Sequence, residues 1–144
     1  MKRLVLILAL VGILIVPASA AARTPWQYRP HAKTPHRLPP HWKQWIAIGK
    51  CEQPGTGWKG VAWTHDGPGV SFPGGLGYTI LLGEWYKPAD ATGRMSTWTP
   101  LQQLWAAERG YYHYEHLLGP QAATTLWDCS AVIGWTGFAY GDES

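Results

Sequence analysis

The chain contains two cysteines, Cys51 and Cys129, which lie far apart in the sequence. In an exported protein, two cysteines are more often joined as a disulfide than used as a metal or redox site. We therefore expect them to pair, closing a loop of about 78 residues that is worth roughly 4 kcal/mol in the chain-entropy description. Such a bond would tie the segment around Cys51 to the last structured part of the chain. No other sequence feature constrains the fold as strongly.

Residues 1–20 predict export. Residues 1–3 carry two basic side chains, residues 4–16 form an apolar run too short for a comfortable membrane span, and residues 17–20 provide an Ala-x-Ala arrangement. This pattern is typical of a secretory signal peptide cleaved after residue 20, and an uncleaved N-terminal anchor is the alternative. We expect a secreted monomer of one domain that meets a membrane only through its signal peptide before cleavage.

The charge is distributed unevenly along the chain. Residues 21–50 carry six basic side chains and no acid, whereas residues 51–144 carry four basic and nine acidic side chains. A nucleic-acid-binding domain should have its positive patch on the folded part, so this distribution argues against a nucleic-acid partner.

Residues 21–40 are rich in proline and histidine and poor in aliphatic residues. This composition predicts a basic, extended and poorly packed linker. The nearby His31, His36 and His41 lack regular spacing and neighbouring cysteines or acids, so no metal site is predicted. A cationic tail would also hold an exported protein near an anionic cell surface in a salt-dependent way.

A helix rich in aromatic residues is predicted from His41 to Glu52, following Pro39 and Pro40. Its apolar stripe, at 3.6-residue spacing, contains Trp42, Trp45, Ile46 and Gly49. This places the carboxyl group of Glu52 at the edge of an aromatic core.

The remaining elements predict an α+β fold that is mainly helical. Residues 58–77 contain too many glycines and prolines for a helix and predict a Gly-rich loop or a short hairpin pairing residues 61–63 with 70–72. Three more helices are expected: one from a Thr79 cap to Tyr86, a long one with the capping signal Thr99, Pro100 and Gln102 that ends near Leu118, and a short one from Gln121 to Trp127. The folded domain would span residues 41–130, followed by an irregular tail over 131–144.

Several motifs resemble one known family. They are Trp45-Ile46-Ala47 with Cys51-Glu52, then Trp58, Gly74-Gly75-Leu76-Gly77, Trp85, Thr99-Pro100 with Gln102-Gln103, Ala106-Ala107-Glu108, and Trp127 with Cys129-Ser130. In this order they resemble the catalytic domain of resuscitation-promoting factors, which are secreted transglycosylase-like proteins of high-GC Gram-positive bacteria. The resemblance implies a small lysozyme-like domain, a Cys51–Cys129 bridge, and Glu52 as the catalytic acid acting on peptidoglycan glycan strands. The sequence also departs from the pattern of the family, since Gly77 stands where many relatives have a glutamine.

The chemistry of glycoside cleavage suits this assignment. Breaking a β-1,4 glycosidic bond requires a carboxyl group that stays protonated until it delivers its proton to the leaving oxygen. Desolvation by aromatic side chains raises a carboxyl pKa in that direction. A single glutamate suffices when the sugar's own hydroxyl attacks, as in lytic transglycosylases.

A second carboxylate would favour ordinary hydrolysis instead. Asp66 is the main candidate, although Thr64-His65-Asp66-Gly67 is also simple turn chemistry in which the aspartate accepts a local backbone hydrogen bond. Glu84 is a minor candidate.

Aromatic rings are the expected sugar-binding surfaces, because pyranose C–H faces stack on indole and phenol rings. Trp58, Trp63, Tyr78 and Trp85 are predicted to line the groove that faces Glu52. The core candidates are Trp42, Trp45, Trp105 and Trp127. The Tyr111–Tyr114 cluster winds around the long helix, so we expect a mixture of core and surface positions there.

The sequence thus favours a secreted peptidoglycan-cleaving enzyme, extracellular or associated with the cell wall, with no metal or organic cofactor. A non-catalytic wall-glycan-binding protein with the same fold is the alternative. A secreted, disulfide-stapled protein acting on other proteins is a third interpretation.

Overall fold

The computed structural model describes residues 24–67 and 69–138. The predicted signal peptide and the end of the predicted tail therefore lie outside the described residues. Within them the structure is mainly helical, as predicted, but the β part of the predicted α+β fold is reduced to one isolated bridge. The α-helices are α1 (Trp42–Glu52), α2 (Ile80–Tyr86), α3 (Pro100–Leu118), α4 (Ala122–Leu126) and α5 (Asp128–Val132). Short 3₁₀ turns lie at Trp26–Tyr28, Trp58–Gly60, Met95–Thr97 and Gly119–Gln121.

Extended structure among the described residues is limited to one isolated antiparallel bridge, between Pro54 and Val61. This pairing differs from the predicted hairpin, in which Val61 would pair with residues 70–72. The loop instead packs against α1, where a Cβ on Gly49 would lie 3.0 Å from Gly75 O and from the Val61 side chain. The small residue on α1 therefore allows the Gly-rich loop to approach closely.

The long helix α3 begins as its capping signal predicts. Thr99 Oγ1 accepts a hydrogen bond from Gln102 N, and Gln102 Oε1 accepts one from Thr99 N. One turn further in, the buried Gln103 side chain accepts a hydrogen bond from Gly75 N at 2.8 Å and donates to Trp63 O at 2.9 Å. The Gln103 side chain therefore holds the Gly-rich loop against α3.

The predicted disulfide is confirmed. Cys51 and Cys129 are bonded, with their Cα atoms 5.8 Å apart. The bond joins the last turn of α1 to α5, a helix that the sequence did not predict. Residue 52 is therefore fixed beside the C-terminal segment by a covalent link.

The aromatic core contains Trp45, Trp105 and Trp127, all nearly or fully buried as predicted. Trp42 is only half-buried and stacks on Trp58 at a ring-centroid distance of 6.3 Å. The Tyr111–Tyr114 cluster is mixed, as expected, because Tyr111 is buried and the next three residues are half-buried.

The region after residue 130 needs a correction. We expected an irregular tail from residue 131, but α5 continues to Val132 and Trp135 is buried against Trp45, Tyr111 and Trp127. Gly134, with φ of 70°, turns the chain so that the large Trp135 side chain returns to the core. Burial of this ring explains the difference.

The expectation of a poorly packed linker is wrong for residues 24–40. Tyr28 is buried and stacks on Tyr112 at a centroid distance of 4.4 Å. The buried side chain of Arg109, on α3, donates hydrogen bonds to Gln27 O and Lys33 O. Apart from the 3₁₀ turn at Trp26–Tyr28 the segment has no regular secondary structure, but its carbonyl groups accept hydrogen bonds from side chains of α3.

None of the helices formed by residues 24–67 and 69–138 combines the length and apolar character required to cross a bilayer.

Candidate functional site

Glu52 is the last residue of α1 and is half-buried beside the disulfide. Its Oε1 accepts a hydrogen bond from Cys129 N at 3.1 Å. Its Oε2 accepts none from the described residues. The carboxyl group is therefore oriented by one backbone donor while one oxygen stays available to a ligand.

Gly77 forms one wall of this site. Its φ of 65° lies in the left-handed region, and a Cβ there would lie 2.9 Å from Glu52 Oε2. The loop is fixed at this point because Trp127 Nε1 donates a hydrogen bond to Leu76 O at 2.8 Å. A residue larger than glycine would occupy the space that the carboxyl group uses.

The environment raises the pKa of Glu52 above its ordinary value. Burial is the largest cause, since it disfavours the charged form. The hydrogen bond from Cys129 N lowers the pKa in part, and the nearby negative charge of Asp128 raises it. Because the net shift of the pKa is upward, Glu52 keeps its proton to a higher pH than a solvated glutamate does.

Sequence reasoning did not assign a role to Asp128. A signal was present, because Glu52 directly follows one cysteine and Asp128 directly precedes the other. Once the two cysteines are bonded, the two acidic residues lie close together, and the negative charge of Asp128 raises the pKa of Glu52.

Asp66 is engaged elsewhere. It accepts hydrogen bonds from Ser96 Oγ at 2.5 Å and from Gly67 N at 2.9 Å, and it forms an ion pair with Arg94 at 3.3 Å. The hydrogen bond from Ser96 is the largest cause of a lowered pKa for this carboxyl group. These contacts fit the turn interpretation, including its local backbone hydrogen bond, better than a role as a second catalytic group.

The four predicted sugar-binding aromatics divide into two pairs. Trp58 and Trp85 are exposed, with 41% and 53% of their surface accessible. Trp63 and Tyr78 are only 5% and 3% accessible, so a sugar cannot stack on their rings, and the prediction for these two needs correction. Core packing and close loop contacts bury them, and burial raises the pKa of Tyr78 well above its ordinary value.

Four surface cavities formed by residues within 24–67 and 69–138 were compared with the site, and Glu52 lines none of these four. Trp58 lines one of about 400 Å³ with Leu38 and Pro100, and Trp85 lines another of about 390 Å³ with Tyr114 and Leu117. The exposed Glu84 side chain lines none of the four either. The two open tryptophans therefore belong to separate surface grooves.

A second carboxyl group was also overlooked. Glu108, on α3, is fully buried, with Oε2 accepting a hydrogen bond from Trp45 Nε1 at 2.6 Å and Oε1 lying 2.7 Å from His41 Nδ1. Its position on the apolar face of α3, between Trp105 and Tyr111, was the available signal. A glutamate there must find donors within the core.

Over residues 24–67 and 69–138, the histidine, cysteine, aspartate and glutamate side chains form no group of three that could hold a metal ion.

Comparison with known proteins gives no relatives: no family model matches the chain, and neither the curated proteins nor the solved structures include a match.

Proposed function

We propose that the protein is a secreted peptidoglycan-cleaving enzyme, extracellular or associated with the cell wall, that acts on the β-1,4 glycosidic bond of glycan strands. The proposal includes the lysozyme-like fold and the resemblance to resuscitation-promoting factors. One observation carries it: the half-buried carboxyl group of Glu52 has a raised pKa, a single orienting hydrogen bond, and one available oxygen.

In this mechanism Glu52 is first a general acid and then a general base. The protonated carboxyl group gives its proton to the glycosidic oxygen as the bond to the anomeric carbon breaks. The carboxylate that results then removes a proton from the hydroxyl group that attacks the oxocarbenium-like carbon. Attack by the sugar's own hydroxyl gives an anhydro product, as in a lytic transglycosylase, and attack by water gives a reducing end, as in a muramidase.

The proposed activity requires no metal or organic cofactor, because the single carboxyl group performs both proton transfers. We propose that the protein acts as a monomer. The engagement of Asp66 with Ser96 and Arg94 favours the route with one glutamate.

The test is release of soluble muropeptides from purified cell walls, followed by mass analysis. We expect Glu52→Gln to lose at least about 100-fold in rate, the lower range for a general acid. Glu84→Gln is the matched control, since its side chain is exposed on α2, and we expect it to keep the wild-type rate. Equal release by wild type and Glu52→Gln would remove Glu52 from the mechanism.

A non-catalytic wall-glycan-binding protein is the second candidate. The exposed rings of Trp58 and Trp85 lie in grooves that Glu52 does not line, and this favours binding without cleavage. Retention of the protein on purified walls, with no soluble product after long incubation, would support this candidate over the enzyme.

A further inference from the structure

The N-terminal segment of residues 24–40 is held to α3 by its main-chain carbonyl groups. Arg109 donates to Gln27 O at 2.7 Å and to Lys33 O at 3.0 Å, and Trp105 Nε1 donates to Arg37 O at 2.7 Å. The side chains of Lys33 and Arg37 are exposed. Their main chain is therefore fixed by contacts that do not use their charges.

These two side chains share a surface groove of about 770 Å³. The groove also contains an aromatic platform, since Trp26 is 55% accessible. The complete lining consists of Trp26, Lys33, Thr34, Pro35, His36, Arg37 and Asp90.

The positive charges of the groove are not neutralised by the fold. Lys33 and Arg37 form no ion pair with the described residues. Asp90 accepts hydrogen bonds from Thr34 N at 2.8 Å and Thr34 Oγ1 at 2.9 Å, so its carboxylate holds the segment in place. Its charge also interacts with the buried guanidinium of Arg109, which offsets it. The two exposed cations therefore give the groove a net positive charge.

We propose that this groove binds an acidic polysaccharide. Carboxylate or phosphate groups of the polymer pair with Lys33 and Arg37, and a sugar ring stacks its C–H face on Trp26. The fixed main chain lowers the ordering cost of binding, because only side chains must be immobilised. This role goes beyond the proposed cleavage and does not involve Glu52.

The small number of basic residues in the groove favours a polysaccharide over other polyanions. Proteins that bind duplex nucleic acid typically neutralise about six to ten phosphates, and polybasic segments that bind anionic lipid typically use about four to eight basic residues. Two cations beside one indole ring suit a polymer that carries about one anionic group for each sugar or two.

The test measures binding of two fluorescent probes, polygalacturonate for carboxylate groups and phosphomannan for phosphate groups, by anisotropy at low salt. We expect Lys33→Gln with Arg37→Gln to bind about tenfold more weakly, since two exposed charge pairs are lost. Trp26→Ala should bind about fivefold more weakly, the scale of one aromatic contact. Lys43→Gln with Lys50→Gln is the matched control, because it removes the same charge from exposed positions on α1 outside the groove. This control should bind within about twofold of wild type.

Thermal unfolding of each variant separates binding loss from misfolding, since the hydrogen bonds from Arg109 and Trp105 go to main-chain carbonyl groups that the substitutions keep. Glu52→Gln should bind both probes like wild type, so failure of the proposed cleavage would leave this result intact. Absence of binding to both probes, or an equal loss in the Lys43 and Lys50 control, would overturn the proposal. The proposal would also be overturned if single-stranded DNA or phosphatidylglycerol vesicles bound the protein as tightly as the two polysaccharides do and lost the same affinity in the Lys33 and Arg37 variant.

Discussion

Glu52 and Glu108 lie at opposite ends of α1, where Glu52 is the last residue of the helix and Glu108, on α3, contacts its first turn. Glu108 is fully buried, and both of its oxygens lie within hydrogen-bonding distance of ring nitrogens, those of Trp45 and His41. Glu52 is half-buried, with one oxygen bound by Cys129 N and the other available.

This difference separates a structural carboxyl group from a reactive one. A buried acid whose oxygens are both engaged fixes α3 against the first turn of α1, and removing it leaves buried donors without that acceptor. A half-buried acid with a raised pKa and an available oxygen can exchange a proton with a ligand. We therefore expect changes at Glu108 to lower stability, and changes at Glu52 to lower activity.

The largest effect on stability should come from the bond that holds Glu52 in place. Replacing both cysteines, Cys51→Ser with Cys129→Ser, should lower the free energy of unfolding by about 4 kcal/mol, because the unfolded chain regains the freedom of a long loop. Urea unfolding measures this difference. A loss below about 1 kcal/mol would mean that packing alone fixes the end of α1.

The next largest loss of stability should come from removing the carboxyl group of Glu108. Glu108→Ala should cost about 3 kcal/mol, since it creates a cavity and removes the acceptor for Trp45 Nε1. Glu84→Ala, at an exposed site on α2, is the control and should change stability by less than about 0.5 kcal/mol. Equal unfolding midpoints for the two variants would contradict the structural role of Glu108.

Gly77→Ala should affect both stability and activity. The left-handed backbone makes alanine costly by about 1–2 kcal/mol, and the new Cβ would displace the carboxyl group of Glu52. Gly134→Ala shares the positive φ but has no atom within 4 Å of its Cβ position, so it isolates the backbone strain. Muropeptide release should fall in the first variant and be retained in the second. Similar release by both would show that Gly77 does not control the position of Glu52.

The smallest effect concerns the stability of Glu52→Gln as a function of pH. Because the folded pKa of Glu52 lies above the unfolded value near 4.5, the ionised form destabilises the fold. This penalty is absent below the unfolded pKa and fully present above the folded pKa. The variant should therefore be more stable than wild type at pH 7, by a few tenths of a kcal/mol because solvent screens the half-exposed group. The difference should vanish on acidification to about pH 3, as thermal unfolding at the two pH values will show. A difference that persists at low pH would indicate another cause.

Local signals in the sequence predicted much of the helical structure. The Thr99 and Gln102 capping pair, the Thr79 cap and the end of α1 at Glu52 each depend on a few neighbouring residues. The pairing of Cys51 with Cys129 followed from their number and the export signal. These features need no knowledge of the rest of the fold.

The features that sequence reasoning missed depend on distant partners. The N-terminal segment has the composition of a linker, but its carbonyl groups meet Arg109 and Trp105, which are distant in the sequence. The accessibility of Trp63 and Tyr78 is likewise decided by tertiary packing, since aromatic residues serve equally well in a core or on a binding surface. No local pattern distinguishes these outcomes.

The most direct test of the central claim compares the two carboxyl groups by muropeptide release per mole of folded protein. We expect Glu52→Gln to remain folded and to release product at least about 100-fold more slowly than wild type. Glu108→Gln should be less stable, yet its folded molecules should release product at close to the wild-type rate. Wild-type release by folded Glu52→Gln would contradict the assignment of Glu52 as the proton donor.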